Sequence, residues 1–128
     1  MITTLSIEEV VDIHDTILNT APGREGYYGD NKLGGAIGRI DNAVYYGGLD
    51  DVFDIAALYI EAIAMGHCFV DANKRTAFVS AITFLEFYDI TIPDEENLAW
   101  MVEDFVKRDI AREEVSAILS SLAITNDD

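Results

Sequence analysis

The sequence predicts an all-α fold of about six helices around a central antiparallel helix pair, with a motif loop joining the two central helices. Three observations carry this. Apolar residues recur at helical spacing from Ile7 onward, two mid-chain segments are apolar almost all round, and no alternating polar–apolar pattern runs beyond a few residues. With 128 residues the chain is expected to form one domain, residues 1–128, long enough to bury a core without disulfides or metal.

The first helix opens at Ser6. In "SIEEVVDIHDTILNT" Ser6 and Glu9 have capping-box spacing, and Ile7, Val10, Val11, Ile17 and Leu18 share one stripe. His14 lies on that stripe, so it reads as a core histidine with a backbone partner and not as a catalyst. Residues 21–35, "APGREGYYGDNKLGG", hold Pro22 and five glycines and are expected to form a long loop. Residues 36–46 resume a helical pattern through Ile37, Ile40 and Val44, and Gly47 with Gly48 stop it.

The next helix, in "DDVFDIAALYIEAIAMGH", has acids in its first turn and Gly66 at its end. Its body from Ile55 to Met65 carries only Glu61 as a charge. Arg75 to Tyr88 is similarly apolar, with Glu86 its only acid, so these two segments are the expected central pair. "YDITIP" is at most a short extended link. Two further helices are expected in "DEENLAWMVEDFVKRD", where Asp94 to Glu96 complement the helix dipole, and in "REEVSAILSSLA", with "ITNDD" fraying beyond. Tyr45, Tyr46, Tyr59, Tyr88, Phe84, Phe87 and Trp100 read as packing residues.

Composition excludes several classes of function. A net charge of −16 repels phosphate backbones and anionic bilayers, so neither nucleic acid nor membrane is an expected partner. No stretch approaches the roughly 18 apolar residues that a membrane span needs, and the N-terminus lacks a basic segment followed by an apolar run. The single cysteine, Cys68, allows no internal disulfide, which suits a cytoplasmic location, and it reads as a core thiol.

One stretch breaks a local rule. "GHCFVDANKRTAF", residues 66–78, places Lys74 and Arg75 at a helix start, where unpaired N–H groups already carry about half a positive charge. An anion held between those N–H groups and the two cations would compensate, most naturally a phosphate. Asp71 and Asn73 sit where short polar side chains cap a helix, and the Asp71 carboxylate could hold Mg²⁺ against phosphates. Gly66 and Ala72 let the backbone turn closely. His67 stands at the loop entrance, and imidazole takes up protons near neutral pH. The residues by themselves imply a site for a phosphorylated small molecule, and group transfer is the furthest chemistry that they allow to be named.

His67-Cys68-Phe69-Val70-Asp71-Ala72-Asn73-Lys74-Arg75-Thr76 resembles the H-x-F-x-D-[GA]-N-[KG]-R-T signature of the Fic/Doc family, and specifically its Doc (death-on-curing) toxin branch. Chain length, the mid-chain place of the motif, His14 and Asp15 in the first helix and "AIGRI" are also similar to Doc, over roughly three-quarters of the chain. The resemblance implies a Fic fold with ATP and Mg²⁺ as cofactors. Lys74 stands where most Fic enzymes, which transfer AMP, have Gly, and Phe78 where they have a second Arg.

That pattern implies the Doc reaction, transfer of the ATP γ-phosphate to a hydroxyl of translation elongation factor Tu. It makes His67 the general base, Asp71 the Mg²⁺ carboxylate, Arg75 a catalytic cation, and Ala72, Asn73, Lys74 and Arg75 the phosphate-binding residues. Phe69 becomes a structural anchor. Val79 is apolar where the Doc pattern has Asn. The implied partner is a Phd-like antitoxin that lays an amphipathic helix in a groove, and residues Arg24 to Lys32 correspond in position to a target-docking flap. The alternatives are a Fic-type AMP-transferase and a catalytically silent binding or regulatory module.

Overall fold

Asp51 starts the helix at the centre of the molecule. Its carboxylate accepts the Phe53 and Asp54 N–H groups at 2.9 and 3.1 Å, a side-chain N-cap that satisfies two donors with no helical acceptor. The computed structural model describes residues 2–20, 30–93 and 97–125. In chain order these form α1 (Ile7–Thr20), α2 (Asp30–Asp41), a π-helical turn (Asn42–Tyr46), α3 (Val52–Ala64), α4 (Asn73–Glu86), β1 (Ile90–Thr91), α5 (Ala99–Val106), α6 (Arg112–Leu122) and β2 (Ile124–Thr125).

The architecture is all-α, with α3 at its centre. Nine consecutive or near-consecutive α3 residues are buried, from Ile55 to Ala64 with only Glu61 interrupting them. Glu61 reaches the surface and pairs with Arg112 at 2.9 Å and Arg108 at 3.7 Å, which ties α3 to α6. The largest contact in the molecule is α3 against α4, and α1, α2, α5 and α6 also touch the pair. Burial on this scale is the main stabilising term, at roughly 25 cal/mol per Å² of apolar surface.

α4 is less enclosed than its sequence suggests. Thr76, Ala77, Ser80, Ala81, Phe84 and Leu85 are buried, whereas Lys74, Arg75, Val79 and Glu86 face solvent. It is covered mainly by α3 and α1, with β1 and the short α5 also against it.

α1 begins with the expected capping box: Glu9 N–H donates to Ser6 Oγ at 3.2 Å, and Ser6 N–H to Glu9 Oε1 at 2.9 Å. The segment before it is pinned by tyrosine hydroxyls. Leu5 N–H donates to Tyr59 Oη and Thr3 N–H to Tyr88 Oη, each at 2.7 Å.

Several expectations are corrected. The second helix starts at Asp30, not at residue 36, because burial of Leu33 outweighs the low helix propensity of Gly34 and Gly35. It ends in the π turn, where Gly47 N–H donates to Asn42 C=O at 2.8 Å. Residues 124–125 do not fray: Thr125 pairs with Ile90 and Ile124 with Thr91 in a two-stranded antiparallel ribbon, bringing the link after α4 against the chain end. Tyr45, Tyr46, Phe87 and Trp100 are between 47% and 88% exposed, so they are not packing residues; Tyr59 and Phe84 are. The fifth helix is described from Ala99. Residues 21–29, with most of the expected loop and flap, the acidic run 94–96 and residues 126–128 lie outside the described part of the chain.

Candidate active site

The loop from Met65 to Ala72, between α3 and α4, holds its shape through two left-handed residues and a set of short hydrogen bonds. His67 has φ 50° and Ala72 has φ 64°. Each such conformation costs a non-glycine residue about 1–2 kcal/mol, and strain of this kind persists only where surrounding contacts fix it. Gly66 begins the turn because no side chain fits: a Cβ there would lie 2.3 Å from the Ala62 carbonyl oxygen and 3.2 Å from Cys68 Sγ.

The side-chain caps expected from Asp71 and Asn73 are not made on the helix. Ala72 is the N-cap residue and has no side-chain acceptor. Asn73 is instead the first helical residue, and its amide reaches back into the loop. Its Oδ1 accepts Phe69 N–H at 3.0 Å and its Nδ2 donates to Phe69 C=O at 2.9 Å. Asp71 Oδ1 accepts Ala72 N–H at 2.8 Å. Phe69 is buried and sits against His14, the rings parallel with centroids 3.9 Å apart. His14 is also buried, and its Nε2 lies 3.0 Å from the Asp71 carbonyl oxygen. It has the backbone partner that its place on the α1 stripe predicts.

His67, Asp71, Ala72, Asn73, Lys74 and Arg75 all line one cavity of about 770 Å³, within the range of ordinary small-molecule sites. The sequence motif thus converges on a single concave surface. The N–H groups of the first α4 turn have no helical acceptor there. His67 is exposed, and among the described residues neither it nor Arg75 has a hydrogen-bond or ion-pair partner.

The opposite wall was not legible in the sequence. Leu98 just before α5, Val102 and Val106 of α5, and Phe78 of α4 give it an apolar lining, and Glu103 adds a carboxylate. Glu103 Oε1 accepts from Lys74 Nζ at 2.6 Å. The hydrogen bond and charge of Lys74 hold the Glu103 carboxyl below the usual carboxylate range. One of the two helix-start cations is therefore already compensated within the chain. The only signal available beforehand was the apolar spacing of α5, which says nothing of what α5 faces.

Val79 does not line the cavity and is 37% exposed. Cys68 is fully buried, and burial pushes its thiol up from the ordinary value, so it is a core group and not a thiolate nucleophile. No three His, Cys, Asp or Glu side chains gather among the described residues as a metal set. A single carboxylate is nevertheless enough for Mg²⁺ when phosphates and water complete its shell, and Asp71 borders the cavity beside the cations that would meet those phosphates. Among the described residues no helix is long and apolar enough to cross a membrane.

Comparison with known proteins bears on the same residues. The family model described as "Fic/DOC family" matches residues 4–85. The chain is 37% identical over 95 residues to "Protein kinase doc" of Escherichia phage P1, covering 74% of this chain and 75% of that protein. It is 30% identical over 97 residues to "Toxin Doc" of Mycolicibacterium smegmatis, covering 71% and 73%.

Proposed function

The chain belongs to the Fic/DOC family, and from that membership we propose that it is a Doc-like toxin: a protein kinase that moves the ATP γ-phosphate to a hydroxyl of elongation factor Tu, arresting translation until an antitoxin binds. The single observation that carries the reading is the convergence of an exposed histidine, a carboxylate, two cations and a free helix N-terminus on one cavity. The relatives named as a protein kinase and as a toxin support it.

In this reading His67 accepts the proton of the target hydroxyl as its oxygen attacks the γ-phosphorus. The bond from that phosphorus to the bridging oxygen breaks, and ADP leaves. Arg75, Lys74 and the α4 N–H groups stabilise charge on the phosphoryl oxygens, which is most of what such a transfer requires of a protein. Asn73 contributes its backbone N–H, while its side chain keeps the loop closed on Phe69. Asp71 is the residue that would hold Mg²⁺, which when bound neutralises phosphate charge. The apolar wall of α5 and Phe78 accepts the uncharged part of the nucleotide. Phe78 in that wall also removes the second arginine of the AMP-transferring pattern, which favours γ-phosphoryl transfer.

Incubation with elongation factor Tu, Mg²⁺ and ATP labelled at the γ or α position tests the proposal. Label from the γ position alone is expected. Label from the α position would assign AMP transfer instead, and no label from either would assign a silent binding module. His67→Ala should lower transfer at least about 100-fold with the thermal midpoint unchanged, and should relieve growth arrest on expression without antitoxin.

A further inference from the structure

α1 contributes nothing to the lining of the cavity, yet one of its side chains is bonded to the loop that does. His14 is 1% exposed, and a buried imidazole requires partners for its nitrogens. The Asp71 carbonyl oxygen can only accept, so the His14 Nε2 facing it at 3.0 Å carries a hydrogen and donates, whichever charge the ring has. The other nitrogen, Nδ1, lies 3.3 Å from Asp15 Oδ1, on a side chain that is 66% exposed.

The ring face is engaged as well. It stacks on Phe69 at 3.9 Å with only 8° between the planes, and Phe69 is bonded through its N–H and C=O to Asn73. One residue therefore holds the loop at two points on either side of Val70. The peptide it grips carries the Asp71 carboxylate and immediately precedes the left-handed Ala72. A strained backbone of this kind needs fixed neighbours, and His14 is a neighbour that comes from outside the motif.

We infer that His14 is a positioning residue for phosphoryl transfer: through Nε2–H and its ring it sets the Asp71 peptide and the turn into α4, and so aims the carboxylate and the helix-start N–H groups at bound phosphates. The inference rests on the proposed kinase reading for its consequence, and on the loop contacts alone for its geometry. A loss of aim lowers the rate of the bound complex more than its formation, because a misplacement of about 1 Å can cost on the order of 100-fold in rate.

The test compares wild type, His14→Phe, which keeps a ring on Phe69 but cannot donate, and His14→Gln, which keeps a donor for the Asp71 carbonyl. In the protein without nucleotide, amide hydrogen exchange at Phe69 and Ala72 should quicken at least ten-fold in His14→Phe and recover in His14→Gln, with α3 and α6 unchanged. With ATP, Mg²⁺ and elongation factor Tu, His14→Phe should lose at least ten-fold in kcat with its KM for ATP within about two-fold, and His14→Gln should regain most of it. Unaltered loop exchange in His14→Phe, or activities of both variants that follow only their thermal midpoints, would overturn the inference. If His14→Phe does not fold, wild-type-like exchange and kcat in His14→Gln support it, and fast loop exchange there overturns it. A wild type that transfers no phosphate defeats the kinase reading separately, and the exchange comparison still decides whether His14 holds the loop.

Discussion

Lys74 and Glu103 show how a single contact can alter what a residue does. A cation in the first turn of a helix is electrostatically misplaced, and the sequence assigns its compensation to a bound anion. In the structure a carboxylate of α5 meets it first, at 2.6 Å, with both side chains about half exposed. A phosphate entering the cavity competes with that carboxylate for the same ammonium group. Glu103→Gln should therefore tighten ATP binding by about two- to five-fold at low ionic strength, and the gain should fade as added salt screens the pair. Isothermal titration at two salt concentrations measures both. Because Lys74 keeps Glu103 ionised below the usual carboxylate range, the advantage of the variant should persist in mildly acidic buffer. It should shrink only as the pH falls through that lowered range and wild-type Glu103 becomes protonated.

At the scale of the element, the loop between α3 and α4 depends on how α3 ends. Met65 closes the helix with its N–H on the Glu61 carbonyl, and Gly66 passes so close to the Ala62 carbonyl that a methyl group there would lie 2.3 Å from it. The Ala62 backbone, held within α3, cannot yield cheaply. Gly66→Ala should cost about 1–3 kcal/mol by the overpacking rule, read from urea denaturation, and should lower transfer activity further than the stability loss explains, because His67 is the next residue. Stability and activity equal to wild type would mean that the turn opens more easily than its contacts indicate. The glycine and the motif spacing were visible in the sequence as punctuation. The two left-handed residues were not: alanine has no preference for that conformation, and the enrichment of histidine there is too weak to mark position 67.

For the whole molecule, the buried hydroxyl of Tyr59 joins the N-terminal segment to the core through Leu5 N–H. Burial raises its pKa well above the usual phenol value, and burial raises that of Cys68 as well. Both groups ionise more readily in the unfolded chain, so as pH rises the unfolded state loses these protons first. Stability is fully present below the ordinary thiol range and declines as pH climbs through it and on through the phenol range. The urea midpoint should accordingly fall between pH 7 and pH 10. Tyr59→Phe should cost about 1–3 kcal/mol at pH 7, because Leu5 N–H loses its buried acceptor, and should flatten the alkaline decline. An unchanged slope in the variant would exclude Tyr59 as a source.

What the sequence by itself determined was local: helical periods, the Ser6–Glu9 cap, the apolar body of α3, and a motif whose residues do share one cavity. These signals act over one or two turns, so a linear reading can hold them. Tertiary structure decided the rest. Packing carried α2 through Gly34 and Gly35, paired residues 124–125 with the link after α4, set Glu103 on Lys74 across 29 positions, and set His14 on the Asp71 peptide across 57. Contacts at such separations arise from how buried faces fit together over the whole chain, and neither partner carries a local preference that names the other.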